Sequence, residues 1–164
     1  MGNGRSRDIA LSACRAGRSR AACADVSDPF DLQRFVDAQR DTYDTALAEL
    51  SAGAKRSHWM WFVFPQIAGL GRSATAQHFA ISGPDEARAY FAHPVLGPRL
   101  VESTRALVEL GGSDPVAVLG SIDAQKLRSS MTLFAHTAPD EPLFRAVLDR
   151  YFGGNEDDAT TGRL

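Results

Sequence analysis

Proline set directly after a capping residue is the pattern that most limits what this chain can fold into. Asp28-Pro29 and Asp114-Pro115 each pair an aspartate, able to accept from an orphan helical N–H, with a proline at the first helical position, where no backbone bond is lost. Ser82-Gly83-Pro84 repeats the scheme, with Asp85 and Glu86 in the first turn, the end the helix dipole favours for acids. After each start, apolar residues recur at helical spacing until a glycine, or Pro94 for the helix opened at Ser82, ends them. The first such run, Leu32, Phe35, Val36, Tyr43, Ala46, Leu47 and Leu50, predicts one long helix from Asp28 to Gly53, with Asp37, Arg40, Asp41 and Asp44 facing water.

The same reading continues to the end of the chain. Ser73 is a candidate cap for a short segment through Phe79, and the helix opened at Ser82 runs to about Ala92. Pro98 suits the first turn of a helix carrying Leu100, Leu107 and Leu110 to Gly111-Gly112, and a short helix follows Asp114 as far as Gly120. Asp123 is expected to cap a helix bearing Leu127, Met131 and Phe134. A final helix, from about Asp140 to Phe152, ends at Gly153-Gly154 before a polar tail. Ser57 to Pro65 is an apolar run whose length alone does not separate a strand from a helix; a two-turn buried helix is preferred. The fold class expected is all-α, a single-domain bundle of short and long irregular helices. The alternative is α+β, with Trp59–Phe64 as a central strand.

Composition sets the broad class. At 164 residues, 44% hydrophobic and 23% charged, the chain suits one globular domain and not a disordered, collagen-like or coiled-coil one. Charge is uneven: residues 1–24 hold five arginines against Asp8, a balance of +4, and the remainder stands at -6. The first segment, rich in Ala, Gly and Ser, reads as a disordered basic extension or a start placed too early, and residues 25–164 as the helical domain. Five arginines without interleaved aromatics are a weak nucleic-acid signal, and the acidic domain offers no footprint for duplex, so nucleic acid is not an expected partner. Cys14 and Cys23, the two cysteines, both fall in that segment. No run of 18 apolar residues and no secretory signal is present, so a membrane is not expected either and a cytoplasmic location is the default.

Two blocks carry candidate chemistry. Lys55, Arg56, Ser57, His58, Trp59 and Trp61, with Gln66 beyond the proline, combine cations, an imidazole and two indoles, a suitable lining for a flat anionic ligand. From the residues alone, the commoner reading has the indoles and phenylalanines as core, with Lys55 and Arg56 as a solvated pair at a helix end. On a helix, Asp123, Lys126 and Ser130 share a face, as do Arg128 and Thr132, so the second block could hold a phosphate or carboxylate by charge-assisted bonds. Its bland counterpart has Asp123 as a cap, with Ser129, Ser130 and Thr132 as small residues that let helices approach. His58, His78, His93 and His136 show no zincin spacing, and no metal is assigned. Walker, dinucleotide and nucleophile-elbow fingerprints are missing, and Asp157 and Asp158 read as an exposed acidic tail.

Ser57-His58-Trp59-Met60-Trp61-Phe62-Val63-Phe64-Pro65-Gln66 with Gly69-Leu70-Gly71 resembles the signature of domain-of-unknown-function family 1810. His93 to Leu100, Asp123 to Phe134, and Tyr151-Phe152-Gly153-Gly154 with Asp157 and Thr160 resemble its later blocks, so the likeness spans about residues 28–164. It implies a helical bacterial protein and brings no established activity or cofactor. Members sometimes carry the label calpastatin, which a globular domain of this composition does not match. The leading expectation is one pocket formed by the two blocks, for a small anionic, nucleotide-like molecule. Trp59 or Trp61 would stack its ring, Lys126 and Arg128 would hold the anion with Ser129 or Ser130, Gln66 would stand beside them, and His58 is the candidate acid/base. The competing class is a non-catalytic interaction domain or homodimer with an exposed apolar patch.

Overall fold

Ten helices, and no strand, make up the part of the chain that the computed structural model describes, residues 28–164. The arginine-rich segment and both cysteines lie outside the described residues. The fold is all-α. Trp59–Phe64, the strand of the α+β alternative, holds the helical turn α3 (Met60–Val63), which ends at Phe64 just before Pro65. The only β-type pairing among the described residues is one parallel bridge between Ile67 and Ile81.

The expected long first helix is two helices, α1 (Gln33–Gln39) and α2 (Tyr43–Ser51). Bonds from Arg40 N to Asp37 O and from Thr42 N to Gln39 O close three-residue turns, which redirect the axis where no proline or glycine announces a break. The redirected segments serve different partners. Gln39, 1% exposed, donates to Phe62 O and to the Tyr90 hydroxyl, while the Tyr43 hydroxyl donates to Glu102 at 2.6 Å, with Arg99 O 3.1 Å away. Asp28 still accepts from Gln33 N.

Caps and prolines mark most of the other starts. Ser73 accepts from Ala76 N at α4 (Ala74–His78), Pro84 opens α5 (Pro84–Ala92), and Pro98 lies in the first turn of α6 (Leu96–Glu109). Asp114 accepts from Val116 N and Ala117 N at α7 (Pro115–Leu119). Glu141 caps α9 (Pro142–Phe152), which Gly153 closes in a left-handed conformation. The helix expected to be capped by Asp123 is α8 (Ser121–Thr137); it starts at Ser121 behind Gly120, and Asp123 falls inside its first turn.

α8 is the centre of the molecule, packing against α5, α7, α9 and the terminal turn α10 (Asp158–Thr161), while α6 packs on α2, α5 and α9. Residues 129–134 of α8 are buried on every side, so no polar stripe survives there. Its small hydroxyls turn back on their own helix: Thr132 donates to Arg128 O and Thr137 to Leu133 O. Gly97 shows how closely α5 and α6 meet, since a Cβ there would stand 2.0 Å from Phe91 O. The polar tail is not free. Asp157 caps α10 through Thr160 N, and Thr160 is wholly buried.

Candidate functional site

The tryptophan block folds around a carboxylate. Glu49, near the end of α2, accepts from Arg56 N, Ser57 N, the Ser57 hydroxyl and the Trp59 indole N–H, at 2.7–3.0 Å. Burial works to raise its pKa, but the backbone donors of Arg56 and Ser57 and the side chains of Trp59 and Ser57 outweigh it and bring the group down to about 2. This clamp turns Trp59 wholly inward, against Phe64, and leaves Trp61, two residues on, half-buried at the surface.

Beside the indoles lies a three-charge bridge. The Lys55 ammonium donates to Asp123 at 2.8 Å and to Ser57 O, and stands 5.0 Å from the Trp59 ring centre. Lys126 reaches the other Asp123 oxygen at 2.8 Å and stands 4.3 Å from the Trp61 ring centre. The side chains of Lys55, Asp123 and Lys126 are 8%, 17% and 20% exposed, so solvent screens them weakly. Burial raises the Asp123 pKa, and the two lysines overcome that and leave it lowered. Two ammoniums on one carboxylate leave the group with an excess of one positive charge.

A pocket of about 420 Å³ opens beside this bridge, which reaches it through Lys126. One wall comes from α3 and the residues just after it, with Trp61 and Gln66; a second from Gly71, Arg72 and Ser73; a third from α8, with Ile122, Gln125, Lys126 and Ser129; a fourth from Asp157 and Ala159 of the C-terminal segment. A Cβ on Gly71 would lie 2.3 Å from Ala76 Cβ, so the loop can fold onto α4 only without a side chain there. The Arg163 side chain lies against Gly69. Asp157 is fixed through one oxygen, which accepts from the Ser129 hydroxyl, Thr160 N and the Thr160 hydroxyl. Arg72 is exposed and forms no ion pair among the described residues.

The structure therefore brings Trp61, Gln66, Lys126 and Ser129 to one pocket. It sends the other candidates elsewhere. Trp59 is sealed in the core, and Arg128 donates to Asn155 O and Glu156 O, anchoring the C-terminal segment. The Ser130 hydroxyl is buried with no partner among the described residues. His58 is exposed and lines a neighbouring hollow of about 390 Å³. Arg72, Ile122 and Gln125 are not expected at a site from the sequence; Ile122, 72% exposed, stands out only in the fold. Among the described residues no group of three or more His, Cys, Asp or Glu is placed to hold a metal ion, and no helix is long and apolar enough to cross a membrane.

With this geometry in view, the profile of a family described as "Protein of unknown function (DUF1810)" matches residues 29–164. The crystal structure of the conserved hypothetical protein Rv1873 from Mycobacterium tuberculosis, at 1.38 Å, superposes with a TM-score of 0.82 and 49% identity, covering 84% of this chain and 98% of that one. No curated protein matches.

Proposed function

Because this chain belongs to the DUF1810 family, whose description names no activity, we propose its function from the pocket itself: it binds a small anionic, partly aromatic molecule of nucleotide type. The observation that carries this is Trp61 and Lys126 lining one hollow with Arg72, which forms no ion pair among the described residues. An accessible indole face accepts a flat ring, while a guanidinium and an ammonium supply charge-assisted donors for phosphate. Gln66, Gln125 and Ser129 add neutral groups to orient the ring's edges. The volume lies within the range of about 300–1,000 Å³ typical of small-molecule sites. His58 stands outside this hollow and receives no part in holding a mononucleotide. An assembly surface would need a broad apolar face, whereas the large apolar side chains exposed among the described residues are Val116, Ile122 and Leu164, and Ile122 belongs to the pocket rim.

Titration calorimetry of the full chain with AMP, GMP, CMP and UMP tests the proposal. At least one should bind, with affinity lowered roughly tenfold or more by Arg72→Ala, a loss of about 1.4 kcal/mol. Absence of binding by all four, or unaltered affinity in the variant, overturns it.

A further inference from the structure

The two hollows on this face are not separate. Trp61, Ile122 and Lys126 line both, so the smaller hollow with His58 and Ser121 meets the larger across a crest made of those three side chains. We propose that the pair forms one two-lobed cleft for a dinucleoside phosphate, two nucleoside units joined by a single phosphodiester; this rests on the nucleotide reading above. Three features of the crest support the assignment.

Its charge suits a bridging group. The excess positive charge of the Lys55–Asp123–Lys126 bridge sits under the crest, with Lys126 reaching both hollows, and a phosphodiester carries one negative charge. A ligand confined to the larger hollow meets Arg72 and Lys126 beside the Asp157 carboxylate, whereas one that crosses the crest sets its anion at Lys126 between the two hollows. The crest is also apolar where two rings would flank it. Ile122 is 72% exposed and the Trp61 indole is half-buried, so both have surface for a ring to cover. Finally, each hollow is of small-ligand size, about 420 and 390 Å³, and the second has its own polar group in His58, whose imidazole can stack on a base or bond to its edge.

The test is calorimetry on the full chain with adenylyl-3′,5′-adenosine and with AMP. The dinucleotide should bind about tenfold tighter or better. His58→Ala and Ile122→Ser, both at exposed positions, should each shrink that preference toward unity. AMP binding with no gain for the dinucleotide, or a preference untouched by His58→Ala, overturns the two-lobed cleft and leaves the nucleotide pocket standing. Failure of both ligands to bind overturns the two-lobed cleft, and the nucleotide pocket falls with it when GMP, CMP and UMP fail to bind as well.

Discussion

The Lys126 ammonium lies 4.3 Å from the centre of the Trp61 ring while it holds Asp123 at 2.8 Å. One side chain thus ties the pocket's aromatic wall to the charge bridge beneath it. Asp123 is the centre of this arrangement, since it pairs with two ammoniums that would otherwise repel each other in weakly screened surroundings.

Asp123→Asn should therefore destabilise the fold by about 2–4 kcal/mol, because Lys55, at 8% exposure, loses its counter-charge inside the protein. Urea unfolding at neutral pH checks this. The companion change Lys126→Met, which leaves Asp123 paired with Lys55, should cost clearly less. Equal costs would show that the bridge is not organised around the aspartate.

Glu49 sets an acid limit on the tryptophan block. Its folded pKa, about 2, is below the ordinary value of 4.5, so between these values the unfolded chain binds more protons. The stabilisation is full above about pH 4.5 and fades as pH falls toward 2. Glu49→Gln should lower stability at pH 7 by about 2 kcal/mol and flatten the stability–pH curve in that window. Urea midpoints at intervals from pH 6 downward provide the readout, and a variant curve parallel to the native one would refute the assignment.

Arg128 touches the pocket only through the chain it holds. Loss of its donors to Asn155 O and Glu156 O in Arg128→Ala should loosen the segment that brings Asp157 and Ala159 to the fourth wall. Faster amide exchange over 156–164 is expected, with α6 and α9 protected as before, and nucleotide affinity should fall although no ligand contact is removed. Unchanged exchange in the segment would mean that Asp157 docks without help from the arginine.

Ser130 offers the opposite case. Its hydroxyl is buried and unpartnered among the described residues, so Ser130→Ala removes a desolvated polar atom and little else. Thermal denaturation should show equal or higher stability, by up to about 1 kcal/mol, and ligand affinity should stay the same. A marked drop in either would reveal a partner for the hydroxyl.

Local grammar made much of this fold readable. Ser73 and Asp114 cap the helices that follow them, and Pro84 and Gly153 bound theirs, because each signal acts within a few residues of itself. The break between α1 and α2 was hidden, since its cause is tertiary: Gln39 and Tyr43 answer to Phe62, Tyr90, Arg99 and Glu102, all distant in sequence. Asp123 misled for a related reason. A lone aspartate near a helix start reads as a cap, and only the folded chain brings Lys55 to it. Both blocks of the candidate site were visible as residue types. Which indole faces out was not, because Glu49 decides it from another helix.

That division between the indoles gives the protein an internal optical standard. Trp59 is wholly buried with its N–H bonded to Glu49, whereas Trp61 opens on the pocket, and the chain has no other tryptophan. Emission from Trp59 is shielded from iodide or acrylamide, so collisional quenching reads the accessibility of Trp61 against a steady background. Occupancy of the cleft becomes measurable without a label, and Trp61→Phe supplies the blank.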